Sequence, residues 1–292
     1  MRKVFAIVRA TMLEIGCDAL ALLITMAALA VSTFAPALHY HQFGEPTRMA
    51  REAGLSAILV GGLVFSIFGA VRSIRREIES LTIQMALAHS ISRGMFLAAK
   101  MLGVFFAYLL FFVTVGANSI VAIKGAQIGA LVAKGDVSRV WGPSLATGIA
   151  PIILPLIIAA FLNRFARFRF TRTAVILMAL ISILGVFYRF DISLIVRFFA
   201  PALALMPLAI FFICLSGAAA SRLNANSALS LSFIVVASSL FLFGSHYLSE
   251  ISAPGASEIP WGYIAMLFAA DLILSCAALL AGIALFDERD LS

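Results

Sequence analysis

The feature that most constrains this chain is a succession of long apolar runs separated by short charged segments. A helix that crosses hydrocarbon needs about 20 predominantly apolar residues. Eight stretches approach or exceed that length: 19–38, 55–71, 101–123, 141–162, 173–188, 192–220, 223–247 and 261–286. The fifth is short, and the fourth contains Pro151 and Pro155, which kink a membrane helix without forbidding it. Of 292 residues, 63% are apolar and 12% are charged, against roughly 25% charged in soluble domains. A water-soluble globule of this size cannot hide so much apolar surface, because much of any globule faces water. In lipid a helix can be apolar all round, since it satisfies its own backbone hydrogen bonds. The expected fold class is all-α: one polytopic transmembrane helical bundle over 1–292, of about eight spans.

Charge placement sets the orientation. The net charge is +7, and the cations gather in short clusters between apolar runs rather than on an aromatic-studded basic face, so nucleic acid is not the expected partner. With the N-terminus inside, the inside segments hold Arg2, Lys3, Arg9, Arg72, Arg75, Arg76, Arg93, Lys100, Arg164, Arg167, Arg169, Arg172, Arg222 and Arg289. The outside segments hold half as many: Arg48, Arg51, Lys124, Lys134, Arg139, Arg189 and Arg197. That bias predicts both termini in the cytoplasm of a multi-pass protein of the cell (inner) membrane. The runs 173–188 and 192–220 are joined by only Arg189, Phe190 and Asp191. They are read either as a tight hairpin of two spans or as a re-entrant pair, which gives six spans plus a re-entrant hairpin and leaves the termini on one side.

Two segments are expected to be helical without crossing. Residues 1–18 carry Val4, Ile7, Val8, Met12 and Ile15 at helical spacing beside Arg2, Lys3 and Arg9, the pattern of an interfacial amphipathic helix. An uncleaved first span after it is preferred to a signal peptide, because Ala35-Pro36-Ala37 has proline between the small residues. Between the second and third runs lies 72–100, far longer than a chain reversal needs. There Ile74, Ile78, Leu81, Met85 and Ala88 form one helical stripe, Arg75 and Glu79 stand four apart as a potential ion pair, and Ser92 is placed to cap the helix of the third run.

Here the sequence resembles the membrane subunits of type-2 ATP-binding-cassette exporters. In that family the loop after the second span carries a pattern like R-E-x-E-x-x-T-x-x-x-L-x-A-x-P-I-S-R, matched here by Arg76, Glu77, Glu79, Thr82, Ala88, Ile91, Ser92 and Arg93. It departs where His89-Ser90 replaces the proline-containing turn. Ser221-Arg222-Leu223-Asn224, Pro260-Trp261 and the tail Phe286-Asp287-Glu288-Arg289-Asp290-Leu291 resemble further family features. The resemblance covers about 1–123 and 215–292; the stretch 140–215 looks like an added hairpin. It implies a permease that forms the translocation path, paired with a second copy or a paralogue. A separate ATPase subunit would grip a coupling helix within 72–100, through Arg75, Arg76, Glu77, Glu79, Thr82, Ile91, Ser92 and Arg93. ATP and magnesium would then belong to that partner, and this chain would bind no cofactor.

The residues agree with a transport subunit rather than an enzyme. No Gly-x-x-x-x-Gly-Lys-Ser/Thr run cradles phosphates, and no Gly-x-Ser-x-Gly surrounds Ser216. Cys17, Cys214 and Cys276 have no metal-ligand spacing, and His39, His41, His89 and His246 join no acid or cysteine pattern, so no metal site is expected. Asp271 stands ten residues into the last run, about 15 Å deep. An acid at that depth has to face protein, water or a cation. It is read as a residue of the translocation path or a helix-packing contact, with Arg197 as a candidate partner. A secondary transporter or channel working without an ATPase is the alternative, and internal two-fold similarity with several midplane acids would be its mark.

Overall fold

The computed structural model describes residues 2–38, 46–79, 92–133, 141–188, 191–251 and 261–287. Within them the backbone is helical apart from short turns and helix-flanking residues, with no strand. In chain order the helices are α1 (Arg2–Gly16), α2 (Ala19–Leu38), α3 (Pro46–Glu79), α4 (Arg93–Ala133), α5 (Trp141–Ala166), α6 (Phe170–Tyr188), α7 (Ile192–Ala204), α8 (Met206–Arg222), α9 (Ala225–Ile251) and α10 (Trp261–Asp287).

Every apolar run falls on helix, apart from Leu205 and the Leu223-Asn224 turn. Six described helices are long and apolar enough to cross a membrane: Thr47–Glu79, Arg93–Ile128, Gly148–Ala166, Phe170–Phe187, Ile192–Arg222 and Phe268–Phe286. A seventh is counted if α1 and α2, broken at Cys17-Asp18, are taken as one bent span. Ile192–Arg222 passes as one span despite the interruption at Leu205. The stretch Ala225–Ser238 of α9 is apolar but shorter. Pro151 and Pro155 lie inside an unbroken α5.

The chain divides into two compact units. One comprises 1–15, 63–108 and 203–292. In it α8 packs along α10 and α9, and small residues let the backbones close up. A Cβ on Gly282 would stand 2.9 Å from the Ala218 Cβ and 3.1 Å from its Cα. Such contacts replace the hydrophobic driving force, which lipid does not supply between helices. Helix α1 buries Val8, Thr11 and Ile15, and Val4, Ile7 and Met12 of the expected stripe are half-buried. A Cβ on Gly103 of α4 would stand 2.6 Å from the Thr11 Cβ and 2.9 Å from the Val8 carbonyl oxygen. Phe5 of α1 is left exposed.

The other unit comprises 16–62 and 109–202. Here α5 and α6 pack on each other and on α2, and their outer faces expose Ile153, Ile157, Leu180 and Leu184, as lipid contact demands. Asn118 of α4, fully buried, ties three helices together. Its Nδ2 donates to Ser32 Oγ at 2.9 Å and to Thr33 Oγ1 at 3.1 Å, and Thr33 Oγ1 donates to the Gly148 carbonyl at 3.1 Å.

Candidate functional site

The residues that flank the 80–91 segment form a charge network within the first unit. Lys100, about two turns into α4, is 3% exposed. Its Nζ lies 2.7 Å from Glu77 Oε1 near the end of α3 and 3.8 Å from Glu14 Oε2 of α1. Glu14 in turn accepts from Arg76 Nη1 at 3.0 Å. The reason is local. Lys100 falls among Phe96, Leu97 and Met101, all buried, and its ammonium can neither snorkel past them nor stay unpaired. The Phe96 ring, 5.9 Å from Nζ, adds a cation–π contact. Three helices are thereby fastened where α3 ends and α4 begins.

The exit from the segment is capped. Ser92 Oγ accepts from the Met95 amide at 3.3 Å, and the Ser92 carbonyl accepts from the Phe96 amide at 3.0 Å, so α4 begins as the serine predicts. The entry is an uninterrupted continuation of α3 to Glu79. Residues 72–79 are thus continuous with α3, because helical hydrogen bonds continue past the end of an apolar run.

The structure sorts the expected docking residues into two kinds. Arg76 and Glu79 present themselves outward, at 66% and 63% exposure. Arg75 is turned inward, at 12% exposure, and donates to Glu79 Oε1 at 3.3 Å, the expected i, i+4 pair. Glu77 is held by Lys100. Arg93 is half-buried, beside Gly94, whose close neighbour is Ile283 of α10. Thr82 and Ile91, with most of the expected coupling helix, lie outside the described residues. So do His39, His41 and His89, and the side chain of His246 is not described.

Asp271 lies on the buried stripe of α10, with Ser275, Gly282 and Phe286 at spacings of four, seven and four. Ser275 Oγ donates to the Asp271 carbonyl at 2.6 Å. The acid faces protein, as its depth required. Arg197 belongs to the other unit and is exposed on α7. In that unit the sequence reading missed Lys124 and Asp191. Asp191 Oδ2 accepts from Lys124 Nζ at 2.5 Å, while Oδ1 caps α7 through the Ser193 and Leu194 amides at 3.2 and 3.4 Å. The Lys124 bond first, then those with Ser193 and Leu194, lower the Asp191 pKa from its ordinary 3.8 to about 2. The Lys124 partnership had no local signal; an aspartate opening an apolar helix was the visible half of it.

At the C-terminal ends of α8 and α10, Arg222 Nε donates to the Leu285 carbonyl at 2.9 Å, which satisfies one terminal acceptor just before the break at Leu223-Asn224. Among the described residues no group of three or more His, Cys, Asp or Glu converges as metal ligands would. The sequence matches no protein-family model, and no curated protein and no solved structure is similar to it.

Proposed function

We propose that this chain is the membrane permease of an ATP-binding-cassette exporter, with about eight spans, both termini in the cytoplasm, and a docking segment for a separate ATPase between α3 and α4. The eight spans are α2, α3, α4, α5, α6, α7 with α8, α9, and α10. The observation that carries the reading is the pairing of two things: the Arg-Glu-x-Glu…Ile-Ser-Arg pattern, and the ion-locked base from which that segment leaves and to which it returns. A segment that receives force from a partner needs a stiff base, since a soft one would absorb the displacement. Glu77–Lys100 and the Ser92 cap provide that stiffness, and Arg76 and Glu79 offer outward charge to the partner.

The test is purification of the full chain from its native membranes followed by assay of magnesium-dependent ATP hydrolysis in the eluate. An ATPase that co-elutes from the unmodified chain, and is lost or sharply reduced with Glu79→Lys, supports the reading. Transport by the purified chain alone in ATP-free vesicles would sink it and favour a secondary transporter. So would labelling of a cysteine introduced at Thr82 from the extracytoplasmic side.

A further inference from the structure

The α5–α6 turn belongs to the stretch outside the exporter resemblance, and its chemistry is unlike the rest of the chain. From 163 to 172 it runs Asn-Arg-Phe-Ala-Arg-Phe-Arg-Phe-Thr-Arg. Arg164, Arg167, Arg169 and Arg172 are all exposed, and the stretch contains no acid. Five cations elsewhere are paired with carboxylates: Arg48 with Glu52, Arg75 with Glu79, Arg76 with Glu14, Lys100 with Glu77, Lys124 with Asp191. None of the four turn arginines forms such a pair among the described residues. Between them Phe165 and Phe168 stand 71% and 57% exposed, and Phe161 projects one turn before.

The turn is nevertheless a built structure. Asn163 Nδ2 donates to the Phe168 carbonyl at 2.7 Å across it, and the Thr173 hydroxyl donates to the Arg169 carbonyl at 3.0 Å. Arg167 holds a left-handed backbone at φ 56°, a conformation that glycine adopts without penalty and other residues do not. A charged side chain kept at a glycine-like position points to a use for the side chain. Arg169 and Arg172 also act on Cys17 at the α1–α2 break: burial raises the thiol pKa, and these two guanidiniums oppose the rise.

We infer that this turn is a binding site for anionic phospholipid, with the guanidiniums on the phosphodiester and the phenylalanines among the upper acyl chains. A guanidinium grips phosphate oxygens in bidentate fashion, and basic clusters beside membrane helices attract acidic headgroups. The interleaving selects a lipid over a free phosphate, which has no hydrocarbon, and the place of the turn between two apolar helices favours a lipid over an acidic peptide. The inference rests on the chain lying in a membrane and not on its docking to an ATPase.

The experiment uses the full chain purified in detergent, exchanged against mixed micelles of phosphatidylglycerol and phosphatidylcholine, with retained lipid counted by native mass spectrometry. No nucleotide or partner is present, so the result stands apart from that of the ATPase test. The unmodified chain retains phosphatidylglycerol over phosphatidylcholine by about tenfold or more. The quadruple variant R164Q/R167Q/R169Q/R172Q loses that preference. Arg167→Gly, which relieves the left-handed backbone as it removes one charge, keeps the fold and lowers the preference several-fold. Substituting serine at Phe165 and Phe168 weakens retention of both lipids. Equal retention of the two lipids by the unmodified chain overturns the site, as does an undiminished preference in a folded Arg167→Gly or quadruple variant. Full displacement of the lipid by inorganic phosphate or an acidic peptide at matched concentration overturns the lipid assignment.

Discussion

Replacing Lys100 with methionine tests whether the base of the 80–91 segment is held by charge. Methionine fills the same channel between Phe96, Leu97 and Met101, so the loss is electrostatic rather than steric. Glu14 keeps Arg76 as a partner at 3.0 Å; Glu77 loses the ammonium at 2.7 Å. Removing one partner of a fully buried pair costs about 3–5 kcal/mol, and an exposed pair is worth about 0–1 kcal/mol. Lys100 is buried, but Glu77 retains a quarter of its side-chain exposure and can recruit water. The expected cost is therefore intermediate, about 2–3 kcal/mol. The double variant Lys100→Met with Glu77→Gln leaves no stranded charge and recovers most of that loss, since neutralising both partners is far cheaper than removing one. The measurement is helical circular dichroism during SDS titration of the four proteins of the cycle in mixed micelles. If the two single effects add to within about 0.5 kcal/mol, the residues are not coupled and the lock does not exist.

Three further outcomes follow from the packing and the charges. Gly103→Ala forces α1 away from α4, because one of the opposing atoms is backbone; it costs about 1–3 kcal/mol and raises protease cleavage within residues 2–16. Asn118→Leu removes the donor to Ser32 and Thr33 and destabilises by about 1–2 kcal/mol, taking membrane hydrogen bonds at about 0.6–1.7 kcal/mol each; an unchanged SDS midpoint would deny the cluster any structural role. Asp191 has a folded pKa below its unfolded one, so its contribution is complete above the ordinary carboxylate range and fades as pH falls from about 4 to about 2. Asp191→Asn abolishes that acid-limb dependence in pH-resolved unfolding and keeps the helix cap, whereas Asp191→Ala loses both.

What could be read from the sequence follows range of interaction. The helices of the apolar runs, the Arg75–Glu79 pair, the Ser92 cap and the start of α10 at Trp261 all depend on residues within a turn of one another, and the sequence displays them directly. Helix ends were less legible. The run 55–71 became Pro46–Glu79 and the run 101–123 became Arg93–Ala133, because apolarity marks what lipid covers and not where hydrogen bonding stops. Glu14, Glu77 and Lys100 come from three helices, and nothing in their spacing announces the meeting. The available signal was Lys100 itself, a cation embedded among Phe96, Leu97 and Met101 that required an acid somewhere. Asn118 gave the same kind of notice within its apolar run.

The placement of Lys100 also bears on how force would pass through the chain. Helices in lipid adhere by close contact of small residues, as Gly282 against Ala218 and Gly103 against Thr11 show, and such contacts slide at modest cost when a helix tilts. A buried ammonium between two carboxylates is different, because separating it by a few ångströms exposes an uncompensated charge in an apolar setting. In the first unit the sliding contacts lie along the helices, and the resistant one joins α1 to the end of α3 and the first turns of α4. In the proposed exporter, a push arriving from the partner between α3 and α4 would therefore move the three helices together before shearing them apart. A bundle held only by small-residue packing would yield at its nearest helix and transmit little to the rest.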